Sequence, residues 1–147
     1  MLDNNIVYCR YELDMTQKEL GYVFGVHEST VSGWETGKDA IPQKKLVKLS
    51  NLCGESIDYI TGLKRKSKKY KKLNKINKKL VGENLKKLRK SLSLTQQEIA
   101  DVCNISQTAY SNYEQGLYLI NSMTLYTICK TYNVSWDEIL GRTEDEN

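Results

Sequence analysis

One histidine, one proline and one phenylalanine occur in the 147 residues. The lone histidine, His27, lacks partners at ligand spacing, which argues against a zinc site or histidine-centred catalysis. Four cysteines, Cys9, Cys53, Cys103 and Cys129, form no CxxC pair and do not cluster with histidine. They read as reduced thiols used as small hydrophobes, and a cytoplasmic location is the expectation that follows. No apolar run approaches the ~18 residues of a membrane span. The opening MLDNNIVYCRYELD lacks a basic stretch followed by an apolar one, so it does not read as a secretory signal. Also missing are a nucleophile–base set, a carboxylate pair beside a basic pocket, a Gly-rich phosphate loop and a metal cluster. An enzyme is therefore disfavoured, and neither cofactor nor metal is expected. The aromatic platforms of RNA-binding modules are missing as well.

The composition, 39% hydrophobic and 27% charged, is that of an ordinary globular chain. Its net charge of +4 is unevenly spread. Residues 1–62 carry six Lys/Arg and nine Asp/Glu, and so do residues 81–147. Residues 63–80 carry ten Lys/Arg and no acid. Such a run is either a solvated, self-repelling linker or a phosphate-contacting arm, and the two roles are compatible.

The segment LDMTQKELGYVFGVHESTVSGWETG, from Leu13 to Gly37, recurs without a gap as LSLTQQEIADVCNISQTAYSNYEQG, from Leu92 to Gly116, 79 positions later. The register extends outward, aligning Arg10 with Arg89, Ile41 with Ile120 and Leu46 with Leu125. A repeat of this length is a small domain used twice rather than a solenoid unit. The boundaries read as a module at 1–62, a Lys-rich linker at 63–80, a second module at 81–143 and an acidic tail at 144–147.

Each module reads as five helices. Thr16-Gln-Lys-Glu19 and Thr95-Gln-Gln-Glu98 are capping boxes, starting helices from Gln17 to about Phe24 and from Gln96 to about Cys103. Leu20 and Val23, like Ile99 and Val102, fall on one helical face. Gly25 and Asn104 follow, the two residue types that most cheaply accept a left-handed backbone, so a tight turn is expected there. A second helix runs from about His27 to Trp34, and from Ser106 to Tyr113. Ser106 is a good N-cap and His27 a poor one. Gly37 and Gly116 mark the helix ends. Ile6, Cys9 and Leu13, with Leu85, Leu88 and Leu92, signal a preceding helix. Leu46 and Leu49, with Leu125 and Ile128, signal a fourth, with Pro42 near its first position in copy one. A short fifth starts at Ser56 or Ser135, where Ser135-Trp-Asp-Glu138 reads as a further capping box. No strand is signalled, so the fold class is all-α: two tandem five-helix domains, each built on helix-turn-helix.

The pattern Arg…Leu-x-x-Thr-Gln-x-Glu-Leu/Ile-Gly/Ala…Ser-x-Trp/Tyr-Glu-x-Gly resembles the lambda-repressor/Cro-type (XRE) helix-turn-helix domain over nearly all of each copy. The resemblance implies an arginine of the first helix paired with the glutamate ending the third, here Arg10 with Glu35 and Arg89 with Glu114. It implies that the second helix of the motif enters the major groove and the first meets phosphates. Gln17 and Gln96 then contact the backbone or a flanking base. The readers fall at Glu28, Ser29 and Gly33 in copy one and at Gln107, Thr108 and Asn112 in copy two, with Ser32 and Ser111 as minor contacts. Trp34 and Tyr113, at the family's aromatic position, are expected in the core. Gln and Asn can bond adenine bidentately and Thr can touch a thymine methyl, so copy two is equipped to read sequence. Copy one has Glu28, which phosphates repel, and Gly33, which has no side chain to read with. Its Gly21 replaces the family's usual alanine at a cost of about 1 kcal/mol. It does have Lys38, Lys44 and Lys45 where the family often touches phosphate. Copy two has Leu117 and Tyr118 there, within an apolar stretch running to Ile120 that is either core or contact surface.

The expected function is a sequence-specific regulator that binds double-stranded DNA, of bacterial or phage repressor type, read chiefly by the C-terminal copy. Lys68, Lys69, Lys71 and Lys72 of the linker add phosphate contacts. The second reading is an interaction or antitoxin-type protein. In it the N-terminal copy dimerises or binds a protein partner while the C-terminal copy binds DNA. The linker is expected to be loose up to about Leu73, with a helix restarting near Gly82. The tail is expected to fray and offers nothing to DNA.

Overall fold

A computed structural model of the chain describes Met1 and residues 3–145. Two compact units divide it: Met1–Leu73 together with Glu144 and Asp145 of the tail, and Asn74–Thr143. Unit 1 is built from α1 (Ile6–Glu12), α2 (Gln17–Phe24), α3 (Glu28–Thr36), α4 (Gln43–Cys53) and α5 (Ile57–Ile60). Unit 2 repeats the plan with α6 (Lys78–Ser91), α7 (Gln96–Val102), α8 (Gln107–Glu114), α9 (Ser122–Tyr132) and α10 (Trp136–Ile139). The all-α expectation is met: no named strand occurs among the described residues.

In unit 1 the Thr16 hydroxyl accepts from the Glu19 amide, and the Glu19 carboxylate accepts from the Thr16 amide, each at 3.1 Å. Gly25 ends α2 with a left-handed backbone, φ 68°. The turn then leads into α3, whose N-cap is filled by an unexpected residue. His27 Nδ1 accepts from the Ser29 amide at 3.1 Å, so an imidazole performs the capping usually done by a hydroxyl or carboxylate. Ile6, Leu20, Val31, Trp34, Ile41, Leu46, Leu49, Ile57 and Ile60 form the core. Gly21 has a packing reason. A Cβ there would lie 2.6 Å from the Val26 carbonyl oxygen, so the α2–α3 turn sits too close for alanine.

Unit 2 buries the equivalent positions: Leu85, Ile99, Tyr110, Ile120, Leu125, Ile128, Trp136 and Ile139. Its capping box joins Thr95 and Glu98, also with both bonds at 3.1 Å. Asn104 supplies the left-handed turn residue at φ 55°. Ser106 caps α8 by accepting from the Ala109 amide. A buried ion pair, Arg142 Nη1 to Asp137 Oδ1 at 3.0 Å, anchors the end of the unit. Ser135 accepts from the Glu138 amide at 3.2 Å and so caps α10.

Several local expectations need correction. Val102 and Leu92 are exposed rather than buried, because α7 and α6 end there and the last turn looks outward. Of the apolar stretch after α8, Ile120 is core while Leu117 and Tyr118 are exposed. The linker is irregular but tied down: Leu73 donates its amide to Asn51 Oδ1 at 3.1 Å and accepts from Asn51 Nδ2 at 2.8 Å. Ser67 Oγ accepts from the Ser56 amide at 2.8 Å. The segment to Leu73 is therefore fastened to unit 1 instead of hanging loose. Helix α6 starts at Lys78, capped by Asn77, and passes through Gly82 instead of restarting there. The tail also has partners. Glu144 bridges to Tyr70, and the Asp145 amide donates to the Lys69 carbonyl at 2.8 Å. Glu146 and Asn147 lie outside the described residues.

Candidate nucleic-acid interface

In each unit one arginine of the first helix braces the helix-turn-helix pair. Arg89 donates from Nε to Glu114 Oε2 at 2.7 Å and from Nη2 to Oε1 at 3.0 Å. Its Nη1 donates to the Leu94 carbonyl at 3.0 Å, which ties the loop before α7 to the same guanidinium. Arg10 does the same with Glu35, at 2.9 Å from both Nε and Nη2, and reaches the Met15 carbonyl. Both expected pairs are therefore present. The side chains of Arg89 and Glu114 are only 13% and 3% exposed. A pair this dry fixes geometry more surely than it adds stability. Burial works against ionisation of Glu114, yet the hydrogen bonds from Arg89 and Gln96 outweigh it. They hold its carboxyl below the ordinary carboxylate range.

The glutamines opening α2 and α7 join these clusters. Gln96 Nε2 donates to Glu114 Oε1 at 3.2 Å and Gln17 Nε2 to Glu35 Oε1 at 3.3 Å. Each side chain is thus held between the ion pair and the surface, at the N-terminus of the first helix of the motif. Resemblance alone assigned them to DNA; the structure adds this internal partner.

The second helices of the two motifs present different surfaces. On α8, Gln107 and Thr108 are exposed and Asn112 is half-buried one turn on. Ser111 Oγ accepts from Gln115 Nε2 at 2.9 Å, so part of its capacity is used within the helix. On α3, Glu28 and Ser29 are exposed, and the Ser29 hydroxyl is engaged by His27 Nδ1 at 2.8 Å. Ser32 is half-buried. Lys38 and Lys44 are exposed and Lys45 half-buried beyond α3. In unit 2, exposed Leu117 and Tyr118 follow α8 instead. Trp34 is core, whereas Tyr113 is half-buried and its hydroxyl accepts from Asn121 Nδ2 at 3.3 Å.

The arm is cationic throughout its exposed length: Lys64, Arg65, Lys66, Lys68, Lys69, Lys71 and Lys72 all face solvent. Lys68 Nζ lies 3.3 Å from Glu144 Oε1, both side chains being more than half exposed. Lys69 Nζ donates to the Gly54 carbonyl. Residue-by-residue reading of the sequence missed this tail contact, because nothing local in Glu144 points back to Lys68.

Two helix-turn-helix motifs, each braced by a buried Arg–Glu pair and followed by two further helices, define a protein class built to present one helix to a macromolecular groove. The family model for helix-turn-helix (HTH_3) matches twice, at residues 7–60 and 85–139. The chain belongs to the helix-turn-helix family of XRE type. Among curated proteins it is similar to antitoxin PezA of Streptococcus pneumoniae, 39% identical over 62 residues, covering 42% of this chain and 39% of that protein. The HTH-type transcriptional regulator ImmR of Bacillus subtilis is 38% identical over 64 residues, 44% of this chain and 50% of that one. The cryptic phage CTXphi transcriptional repressor RstR of Vibrio cholerae is 38% identical over 68 residues, 46% of this chain and 61% of that one. The matched stretch thus spans less than two thirds of each of these relatives. No helix among the described residues is long and apolar enough to cross a membrane.

Proposed function

We propose that this chain is a transcriptional regulator that binds double-stranded DNA, with α8 lying in the major groove. Gln107, Thr108 and Asn112 read base edges there, Gln96 at the start of α7 meets the backbone, and the lysine arm adds phosphate contacts. The observation that carries this reading is the first two turns of α8. They present amide and hydroxyl side chains, uncharged and able to donate and accept, on a helix whose pose the Arg89–Glu114 pair fixes. Two relatives with transcriptional regulator or repressor in their names support it. The test is a mobility-shift series on a duplex selected by the whole chain. Gln107→Ala or Asn112→Ala is expected to cost about 1–3 kcal/mol on that duplex and to relax it at one base pair. Equal losses on selected and random duplexes contradict the assignment.

A second reading, a protein partner or second copy held by the N-terminal unit, is favoured by one repeat difference. Tyr8, Tyr11 and Tyr22 are 55%, 60% and 89% exposed. Their equivalents in unit 2 are Lys87, Lys90 and Asp101. Tyr8 and Tyr11 stack edge to face at 6.4 Å, and Tyr8 and Tyr59 line one recess with Lys64 and Arg65. Tyrosine is enriched in interface cores relative to the rest of the protein surface. The antitoxin relative is named for an activity compatible with such a partner. Light scattering tests the second-copy form. A concentration-dependent dimer lost in Tyr8→Lys/Tyr11→Lys supports it, and a monomer at all concentrations removes it.

A further inference from the structure

Helix α3 has Gly33 where α8 has Asn112, and another residue has entered the vacated space. A Cβ built on Gly33 would collide with Asp39 Oδ2 and lie 3.3 Å from Asp39 Cγ. The Asp39 amide donates to the Gly33 carbonyl at 3.0 Å, so the loop after α3 is held against this point of the helix. Gly33 is consequently buried although it stands at a reader position, while Asp39 itself is exposed. Glu28 is exposed at the first turn of the same helix. The equivalents of Glu28 and Asp39 in unit 2 are Gln107 and Tyr118, neither of them an acid.

We propose that Asp39 closes the reading face of α3 and so confines base reading in this chain to α8. This rests on the reading above that α8 is the base reader. Three physical facts carry it. The carboxylate occupies the volume that a longer side chain at position 33 would use to reach a base edge. An ionised carboxylate only accepts hydrogen bonds, whereas N7 of both purines, guanine O6 and thymine O4 are acceptors too. Duplex DNA also carries a negative charge about every 1.7 Å of axis, so an acid on the presented helix and another on the loop held against it raise the cost of approach on every sequence. Lys38 and Lys44 remain exposed beyond α3, which leaves unit 1 able to touch phosphate without selecting bases.

The alternative role for the same carboxylate is to accept from cytosine N4 and thus to read. One experiment on the full chain separates these. Selection from random duplexes and affinity on the selected duplex are measured for wild type and for Asn112→Ala. In the Asn112→Ala background, Asp39→Asn is then added alone, and Asp39→Ala is added together with Gly33→Asn. The Gly33 backbone is not left-handed, so asparagine fits it once the Asp39 carboxylate that a Cβ there would meet is removed. Thermal melts check folding, and the near-isosteric Asp39→Asn alone keeps the test decisive if the double change unfolds unit 1. The expected result is binding tighter by about tenfold on the newly selected duplex, with at least one base preference absent from the Asn112→Ala parent. Less than about twofold tightening with no new preference overturns the proposal. So does a base preference of the parent that disappears with Asp39→Asn, because Asp39 then reads. If Asn112→Ala instead keeps every wild-type preference, it is the assignment of reading to Asn112 that fails. The effect of Asp39→Asn is still scored by the same two criteria.

Discussion

Neutralising Lys68, Lys69, Lys71 and Lys72 to glutamine is the perturbation whose size can be worked out most directly. All four are exposed on a segment that hydrogen bonds from Asn51 and Ser56 hold against unit 1. An arm already held in place loses little conformational entropy when it meets phosphate, so its cations should contribute close to their full counterion release. Removing one phosphate-bound cation flattens the plot of log K against log salt by up to about 0.9, and removing four by up to about 3.6. Between 50 and 200 mM salt, a fourfold change, the wild type should then lose up to about 150-fold more affinity than the variant. Lys68 faces Glu144 at 3.3 Å, but both groups are exposed and DNA can displace so weak a pair. Glu144→Gln should therefore steepen the slope slightly. The assay is fluorescence anisotropy on a random-sequence duplex, titrated at four or more salt concentrations. An unchanged slope in the quadruple variant would reduce the arm to a solvated spacer. A change seen on the selected duplex alone would contradict its sequence-independent role.

The remaining predictions concern stability. The folded Glu114 carboxyl is held below its unfolded value, so it stabilises the fold above about pH 4.3, and that contribution is lost as pH falls through the folded pKa. Glu114→Gln should flatten the acid limb of a stability-versus-pH curve measured by urea denaturation; an unaltered limb would show that the pair does not govern it. The Tyr110 hydroxyl is buried near Glu114 but makes no well-formed hydrogen bond. Tyr110→Phe should therefore leave the melting temperature unchanged or raise it, and a clear drop would show that the hydroxyl bonds to Glu114 after all. Thr95→Ala removes the N-cap of α7 and should cost about 1 kcal/mol in a denaturant melt, with no measurable cost counting against the cap.

Local chemistry made the helices legible. Thr and Glu at capping-box spacing start α2 and α7, and Gly25 and Asn104 turn the chain at equivalent points. The Arg10–Glu35 and Arg89–Glu114 pairs came from resemblance, and geometry then added Gln17 and Gln96 to them. Features made by distant residues were hidden. The clamp of Asn51 on Leu73 and the return of Glu144 to Lys68 have no periodicity to announce them. His27 ranks low as a cap because imidazole seldom fills that position, yet its Nδ1 is an adequate acceptor when it faces the Ser29 amide. Asp39 was the most consequential omission. The available signal was an acid six residues after a glycine at a reader position, and only the loop's conformation gives that spacing meaning. Gly21 reads as a defect in an alanine position, whereas the 2.6 Å approach of the Val26 carbonyl makes glycine the fitting residue.

The central claim is that one helix, α8, selects base pairs for the whole chain. The most direct measurement is selection of bound sequences from random duplex DNA with the wild-type chain and with Gln107→Ala/Asn112→Ala, each sequenced to depth. The account predicts that the wild type enriches a defined motif, and that the variant still binds duplex but enriches none of it at the positions α8 covers. A variant that recovers the wild-type motif unchanged, or a wild type that enriches no motif at all, would contradict it.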